Sequence, residues 1–331
     1  MINIWLYSLI SFLIVLSLIP WVIKYLRKIG LMDQDQNKKD KSLIPISGGI
    51  PVLVGIFAGL MLFIFIQTFI YNETEFLLKL FASMTSIMII TFIGFSDDLL
   101  RITKKNGTDK IKGLKQWQKP ILTLAAAIPL MVVNAGTTTL ALPFIGRIDV
   151  GLIYPLIFIP IGVIGSANMV NMLAGYNGLE AGLGIVYLTM LGLFALTFSR
   201  LEGALLAFLT VAALLAFLIY NKFPAKILSG DSLTYLLGGV LVNVAIIGNI
   251  ERAAIIVSIP FFIEFFLKLR TNFKAKSYGY YKNGKIQSYY NKIYSIPHIF
   301  TIKGKYTEKQ IVLFIVLIEL FFASFIWLRL I

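Results

Sequence analysis

Carboxylates and carboxamides gather at three places in a chain that is otherwise mostly apolar: Gly94-Phe95-Ser96-Asp97-Asp98, the run from Asn171 to Glu180, and Gly230-Asp231-Ser232. Each group sits at the mouth of an apolar segment, where an ionisable side chain is costly and usually marks a site. Asp97 and Asp98 precede Arg101, Lys104, Lys105, Lys110, Lys112, Lys115 and Lys119, so two acids face a basic loop. Adjacent helical residues point about 100° apart. The pair is therefore badly placed to share one proton, but one acid can reach a bound cation while the other faces a substrate. A salt-bridged helix end is the alternative reading.

Asn168 and Asn171 are three apart and share one helical face. Their amide oxygens are neutral hard ligands, and Asp231 adds a single carboxylate. Mg²⁺ takes one or two carboxylates, neutral oxygens and substrate phosphates, a demand that Asn171 and Asp231 meet. The segment around Gly175 and Gly178 also reads as a tight turn.

The elements that must hold these residues lie in lipid. Of 331 residues, 58% are apolar and 14% charged, and the mean hydropathy is +0.85; soluble domains carry about 25% charged residues. Spans of about 20 residues are expected at 4–23, 48–70, 77–95, 120–133, 152–169, 179–198, 204–220, 236–250, 253–269 and 310–328, the fourth being short. No alternating barrel pattern is visible, and unsatisfied backbone cannot face lipid. The expectation is an all-α polytopic membrane protein of ten transmembrane helices, a single domain over 1–331 without repeats.

Lys and Arg favour cytoplasmic loops. All 30 basic residues except Lys79, Arg147, Arg200, Arg252 and Arg329 fall on one side. Both termini are then outside, and the loops at 24–43, 97–119 and 268–309 are cytoplasmic, where the chemistry belongs. The first segment reads as a retained helix, because it is long enough to span and lacks a small-residue cleavage site. A net charge of +14 between spans meets anionic headgroups, and no nucleic acid is expected. The absence of cysteine excludes thiolate metal sites and catalytic thiols. Outside, 137–143 and 146–151 read as a small hairpin. A secondary transporter would also show ten spans, but its coupling site belongs near the midplane, where only Glu264 and Glu319 lie.

Taken together, the motifs resemble the polyprenyl-phosphate N-acetylhexosamine-1-phosphate transferases, within glycosyltransferase family 4, and most closely their eukaryotic and archaeal dolichyl-phosphate branch. Ile44-Pro45 with Gly48-Gly49, Gly94 to Asp98, Lys119-Pro120, Asn171 to Gly182, Leu228 to Asp231 and Gly284-Lys285 carry the likeness over almost the whole chain. The resemblance implies transfer of GlcNAc-1-phosphate from UDP-GlcNAc to a dolichyl or other polyprenyl phosphate, with release of UMP, at the start of a lipid-linked glycan for protein N-glycosylation; one direct displacement is expected because a phosphate monoester, with its second pKa of about 6, is already largely a dianion. It implies catalytic roles for Asp97 and Asp98, a phosphate contact for Lys119, and Mg²⁺, with Mn²⁺ as substitute, on Asn171 and Asp231. It assigns uracil to Asn177 and further substrate contacts to Asn168, Glu180, Leu228, Lys274 and Lys276. Relatives carry an Arg-His-Arg type or a His-rich sequence in the ninth loop, 268–309 here, whereas this chain has Lys274, Lys276 and the single His298, and lysine lacks a bidentate fork. His298 itself reads as an ordinary polar residue. A different UDP-sugar or acceptor, as in bacterial cell-wall relatives, is the near alternative. The expected setting is the plasma membrane or an equivalent, with the active site cytoplasmic and membrane lipids around it; a homodimer is left open.

Overall fold

The computed structural model describes residues 3–40, 42–101, 113–142 and 146–328, with backbone alone at 140–142 and 147. Lys104, Lys105, Lys110 and Lys112 of the third loop therefore lie outside the described residues. The helices are α1 (Ile4–Ile29), α2 (Gly49–Phe69), α3 (Leu77–Leu100), α4 (Gln118–Leu124), α5 (Ile128–Val132), α6 (Ile159–Met172), α7 (Leu179–Thr197), α8 (Leu201–Asn221), α9 (Gly230–Gly248), α10 (Glu251–Val257), α11 (Ile259–Leu269), α12 (His298–Thr301) and α13 (Glu308–Ser324).

Eight helical segments among the described residues are long and apolar enough to cross a membrane: α1, α2, α3, α6 with the π-turn before it, α7, α8, α9, and α13 with its final turn. The two remaining apolar runs are broken. Between α4 and α5 the chain narrows to a 3₁₀ turn at Ala125–Ala127, with Pro129 in the first turn of α5. Similarly, α10 stops at Ser258 and α11 restarts on Pro260. Proline offers no amide hydrogen and crowds the preceding turn, so each run divides there.

Two helix ends differ usefully from the hydropathy boundaries. α3 continues to Leu100 and keeps both aspartates in its last turns, whereas apolarity fails at Phe95. α9 starts at Gly230 rather than residue 236 and winds Asp231, Ser232 and Thr234 into its first turn. Polar residues can be helical there because other parts of the protein satisfy them, as the site makes clear.

α9 is the axis of the molecule and is buried along almost its whole length. It packs against α3 most extensively, and against α2, α6, α7, α8 and α10. Lipid is as apolar as a leucine side chain, so membrane helices associate through close packing more than through hydrophobic transfer. Gly94 of α3 shows the consequence: a Cβ there would collide with the backbone of Asp231 and Ser232. Large apolar side chains such as Trp5, Phe65, Phe92, Leu156, Phe266 and Phe321 point outward instead.

Among the described residues three antiparallel hairpins lie between the helices: β1 (Met32–Gln34) with β2 (Leu43–Pro45), β3 (Thr139–Leu142) with β4 (Gly146–Asp149), and β5 (Tyr280–Lys282) with β6 (Lys285–Gln287). The second is the hairpin expected from 137–143 and 146–151. The third turns on Asn283-Gly284, both with positive φ, the pairing that a two-residue hairpin turn requires.

Candidate active site

The site begins where the end of α3 meets the start of α9. Asp98 is completely buried, and its two oxygens are committed. Oδ1 accepts the backbone N–H of Asp231 at 2.7 Å. Oδ2 accepts the N–H of Ser232 at 3.1 Å and the hydroxyl of Ser47 at 2.8 Å. First-turn amides have no partner within their own helix, and a carboxylate there meets the positive end of the helix dipole. Asp98 is thus the cap of α9, donated by another helix. Gly230, at φ 68°, brings its Cα so near this carboxylate that a side chain would overlap it.

Asp97 points elsewhere. Its Oδ1 accepts the Leu114 N–H, while Oδ2 meets Arg101 Nη2 at 2.6 Å and Lys119 Nζ at 3.0 Å. The same two nitrogens reach Asp231 Oδ2, at 3.0 and 2.6 Å respectively. Two acids and two bases therefore form one cluster in which each base touches both acids. Burial alone would lower the Arg101 pKa, but Asp231 and Asp97 outweigh it and hold the guanidinium above its usual range. Asn171 joins the cluster by donating Nδ2–H to Asp231 Oδ2 at 3.2 Å, and its Oδ1 accepts from Thr234 at 2.9 Å.

Beside the cluster lies a cavity of about 300 Å³. Arg101, Asn171, Asp231 and Thr234 line it, as do Asp33, Asp35, Asn177, Leu228, Tyr176 and Tyr278. No three His, Cys, Asp or Glu side chains converge as a ready metal cage among the described residues; the available donor set is two carboxylates and an amide.

The family model for glycosyl transferase family 4 matches residues 80–249, the stretch that carries every member of this cluster. The chain belongs to that family. A protein of Saccharolobus solfataricus named "Putative UDP-N-acetylglucosamine--dolichyl-phosphate N-acetylglucosaminephosphotransferase" is 34% identical over 95% of this chain and 93% of its own length. The protein of the same name from Sulfolobus acidocaldarius is 31% identical over 95% and 92%. More distant is the phospho-N-acetylmuramoyl-pentapeptide-transferase of Latilactobacillus sakei, 30% identical over 77% and 78%.

In this member of glycosyl transferase family 4 the other expected contacts are distributed unevenly. Glu180 borders the cavity, but its oxygens accept the Gly175 N–H at 2.8 Å and the Ser229 hydroxyl at 3.2 Å, so it ties two loops together. Leu228 lines the cavity and exchanges backbone bonds with Pro45 and Gly48. Asn168, one turn below Asn171, faces away from it: its amide bonds Ile164 and Thr123 and accepts from Tyr235. Sharing a face did not give the two asparagines a common site, because the α6 face spans two neighbours, α4 and α9.

The ninth loop is held by α11. Glu264 accepts from the Ser295 hydroxyl at 2.6 Å and the Ile296 N–H at 2.7 Å. One turn on, Lys268 donates to the Ala275 carbonyl and Ser277 hydroxyl, both at 2.7 Å. Glu264 is therefore an anchor for this loop. Glu319 is buried in α13 with neither oxygen bonded among the described residues. Lys274 is exposed, and Lys276 lies between the rings of Tyr278 and Tyr289. Neither lysine lines the cavity; Tyr278 does. His298 is buried, with Nδ1 accepting from Tyr294 and Nε2 paired to the Lys276 carbonyl, a structural use.

Arg101 and Asp35 were not singled out from sequence as site residues. Arg101 had a signal, since it stands four residues after Asp97, the spacing of a helical ion pair. Asp35 lies in a polar loop whose sequence carries none.

Proposed function

We propose that this chain transfers GlcNAc-1-phosphate from UDP-GlcNAc to a dolichyl or other polyprenyl phosphate and releases UMP. The observation that carries this reading is the shared clamp of Arg101 and Lys119 on Asp97 and Asp231, beside a cavity at the ends of membrane helices. Two anions must meet in such a reaction, and paired cations at the meeting point lower that barrier. The relatives' names support the substrates.

The donor set of Asp231, Asn171 and the facing Asp97 fits Mg²⁺, which accepts one or two carboxylates with neutral oxygens, and Mn²⁺ can substitute. Bound there, the ion would supply charge neutralisation for the donor diphosphate. The remaining work falls to side chains. Lys119 and Arg101 exchange a carboxylate partner for phosphate oxygens and orient donor and acceptor. A phosphate monoester has its second pKa near about 6, so the lipid phosphate arrives largely as a dianion, and Asp97 takes any residual proton. A lipid phosphate oxygen forms the new bond to the β-phosphorus as the bond to UMP breaks, without a covalent enzyme intermediate. Asp98 acts only by holding α9.

The segments at 118–132 and 251–269 complete ten membrane passes in this reading, with both termini outside and the site cytoplasmic, in the plasma membrane or an equivalent. Single cysteines test that arrangement without background, because the chain has none. One near Gly136 should react with an impermeant reagent from outside, and one near Gly107 should not. The activity test is UMP release by purified protein from dolichyl phosphate and a panel of UDP-sugars. UDP-GlcNAc should be turned over fastest; preference for a muramoyl-pentapeptide donor would establish the cell-wall alternative, and no turnover with any donor would overturn the assignment.

A further inference from the structure

Asn177 is fixed on three sides. Its backbone N–H donates to Glu308 at 2.8 Å, the next amide, of Gly178, donates to Asn221 at 3.1 Å, and its side-chain Nδ2 donates to Asp35 Oδ2 at 2.9 Å. Asp35 is 3% exposed and Asn177 6%. Lys38 forms an ion pair with the same Asp35 oxygen at 2.7 Å. An ionised carboxylate only accepts. Asp35 can therefore take only the N–H side of the Asn177 amide; reversing the amide would set carbonyl against carboxylate. That contact with Asp35 fixes the side on which the Asn177 carbonyl oxygen sits, and the oxygen and the second N–H are what remain for the cavity.

The charges along the cavity say what meets that oxygen. Arg101, with Lys119 behind it, is the cationic part and takes phosphates. The described residues that line the cavity include no other cation, and Asp33 and Asp35, the latter bonded to Asn177, add carboxylates to its wall. A nucleotide sugar lying across the cavity, as the proposed function requires, thus presents its base to Asn177. We propose that Asp35 is a positioning residue: by locking the Asn177 carboxamide with its oxygen toward the base, it makes the site select uracil, whose ring N3 carries a hydrogen, over cytosine, whose N3 is an acceptor. A buried acceptor facing another acceptor loses its bond and stays desolvated, which is how hydrogen-bonding sites reject near-isosteres.

The test measures inhibition by UMP, CMP and 3-methyl-UMP during UDP-GlcNAc turnover, together with direct binding of the three nucleotides in the absence of acceptor. Wild-type protein should prefer UMP over CMP by about 100-fold and reject 3-methyl-UMP as strongly. Asp35→Asn frees the Asn177 amide to turn. The preference should then fall below about 10-fold, with the KM for UDP-GlcNAc raised and kcat nearly kept. An unchanged UMP-to-CMP ratio in the folded variant would overturn the proposal. So would equal binding of UMP and 3-methyl-UMP to wild-type protein, a comparison that needs no variant. Wild-type protein that neither turns over nor binds a uridine nucleotide would overturn the functional reading as well, so the two failures are distinct.

Discussion

The carboxylate of Asp98 accepts the backbone N–H of Asp231 at 2.7 Å. One acid of the adjacent pair is thereby the cap of the helix that presents the carboxylate facing the other acid. The two neighbours in sequence divide into a residue that holds α9 in place and a residue that belongs to the charged cluster.

Changing each acid to its amide should separate these roles. Asp98→Asn turns an N–H group toward Ser232 N–H and the Ser47 hydroxyl. Hydrogen bonds to a charged acceptor contribute about 1.5–3 kcal/mol each, so the exchange protection of the Asp231 and Ser232 amides should fall at least about 10-fold. Asp97→Asn should abolish most UMP release and leave those amides protected. Equal protection in both variants would dissolve the distinction.

Lys119 touches both Asp97 and Asp231. Lys119→Met removes a preorganised cation from the meeting point of two anions, and losing one such donor typically costs about 10²–10³ in turnover. The decline should appear in kcat, measured as UMP release at saturating UDP-GlcNAc. A change confined to the KM would show that Lys119 serves binding alone.

Glu264 and Lys268 pin opposite parts of the ninth loop from successive turns of α11. Glu264→Gln should speed proteolytic cutting between residues 273 and 297 several-fold and raise the KM for the nucleotide sugar, because Tyr278 hangs from that loop into the cavity wall. Unaltered cutting would mean that the loop is held by other contacts.

His298 gives the same loop a pH dependence. Burial, reinforced by Lys268, pushes the imidazole pKa below its usual value, against an opposing bond to the Lys276 carbonyl. The unfolded value is about 6.5, so the folded state binds the proton less well than the unfolded one. Stability is then full above about pH 6.5 and is lost as pH falls toward the folded pKa. Protection of the Tyr294 amide, taken relative to its intrinsic exchange rate, should fall as pH drops below about 6.5, and His298→Gln should flatten that dependence.

Much of this was legible from residue types alone. Apolar runs located the helical segments, the motif acids fell together in one charged cluster, and the Thr and Gly pattern located the β3–β4 hairpin. Hydropathy failed at helix ends, because Asp98 stabilises a polar first turn from another helix and no local pattern records that bond. The apolar runs at 120–133 and 253–269 looked continuous since apolarity is blind to Pro129 and Pro260 as interruptions. Asn168 misled by periodicity, which gives a face but not the neighbour it meets. Asp35 was invisible because a loop acid acquires its meaning only from the amide that it holds.

The clamp of Asp97, Asp231, Arg101 and Lys119 is electroneutral as well as tightly bonded. With Asp97, Asp231 and Lys119 largely withdrawn from water, balance matters as much as any single contact. Deleting one member strands a charge, at about 3–5 kcal/mol for a buried ion pair broken from one side. Deleting an acid and a base together restores the balance. Asp97→Asn with Lys119→Met should accordingly be the more stable protein than either single variant, though no better an enzyme. In this corner of the molecule the unit that substitution must respect is the ion pair, not the residue.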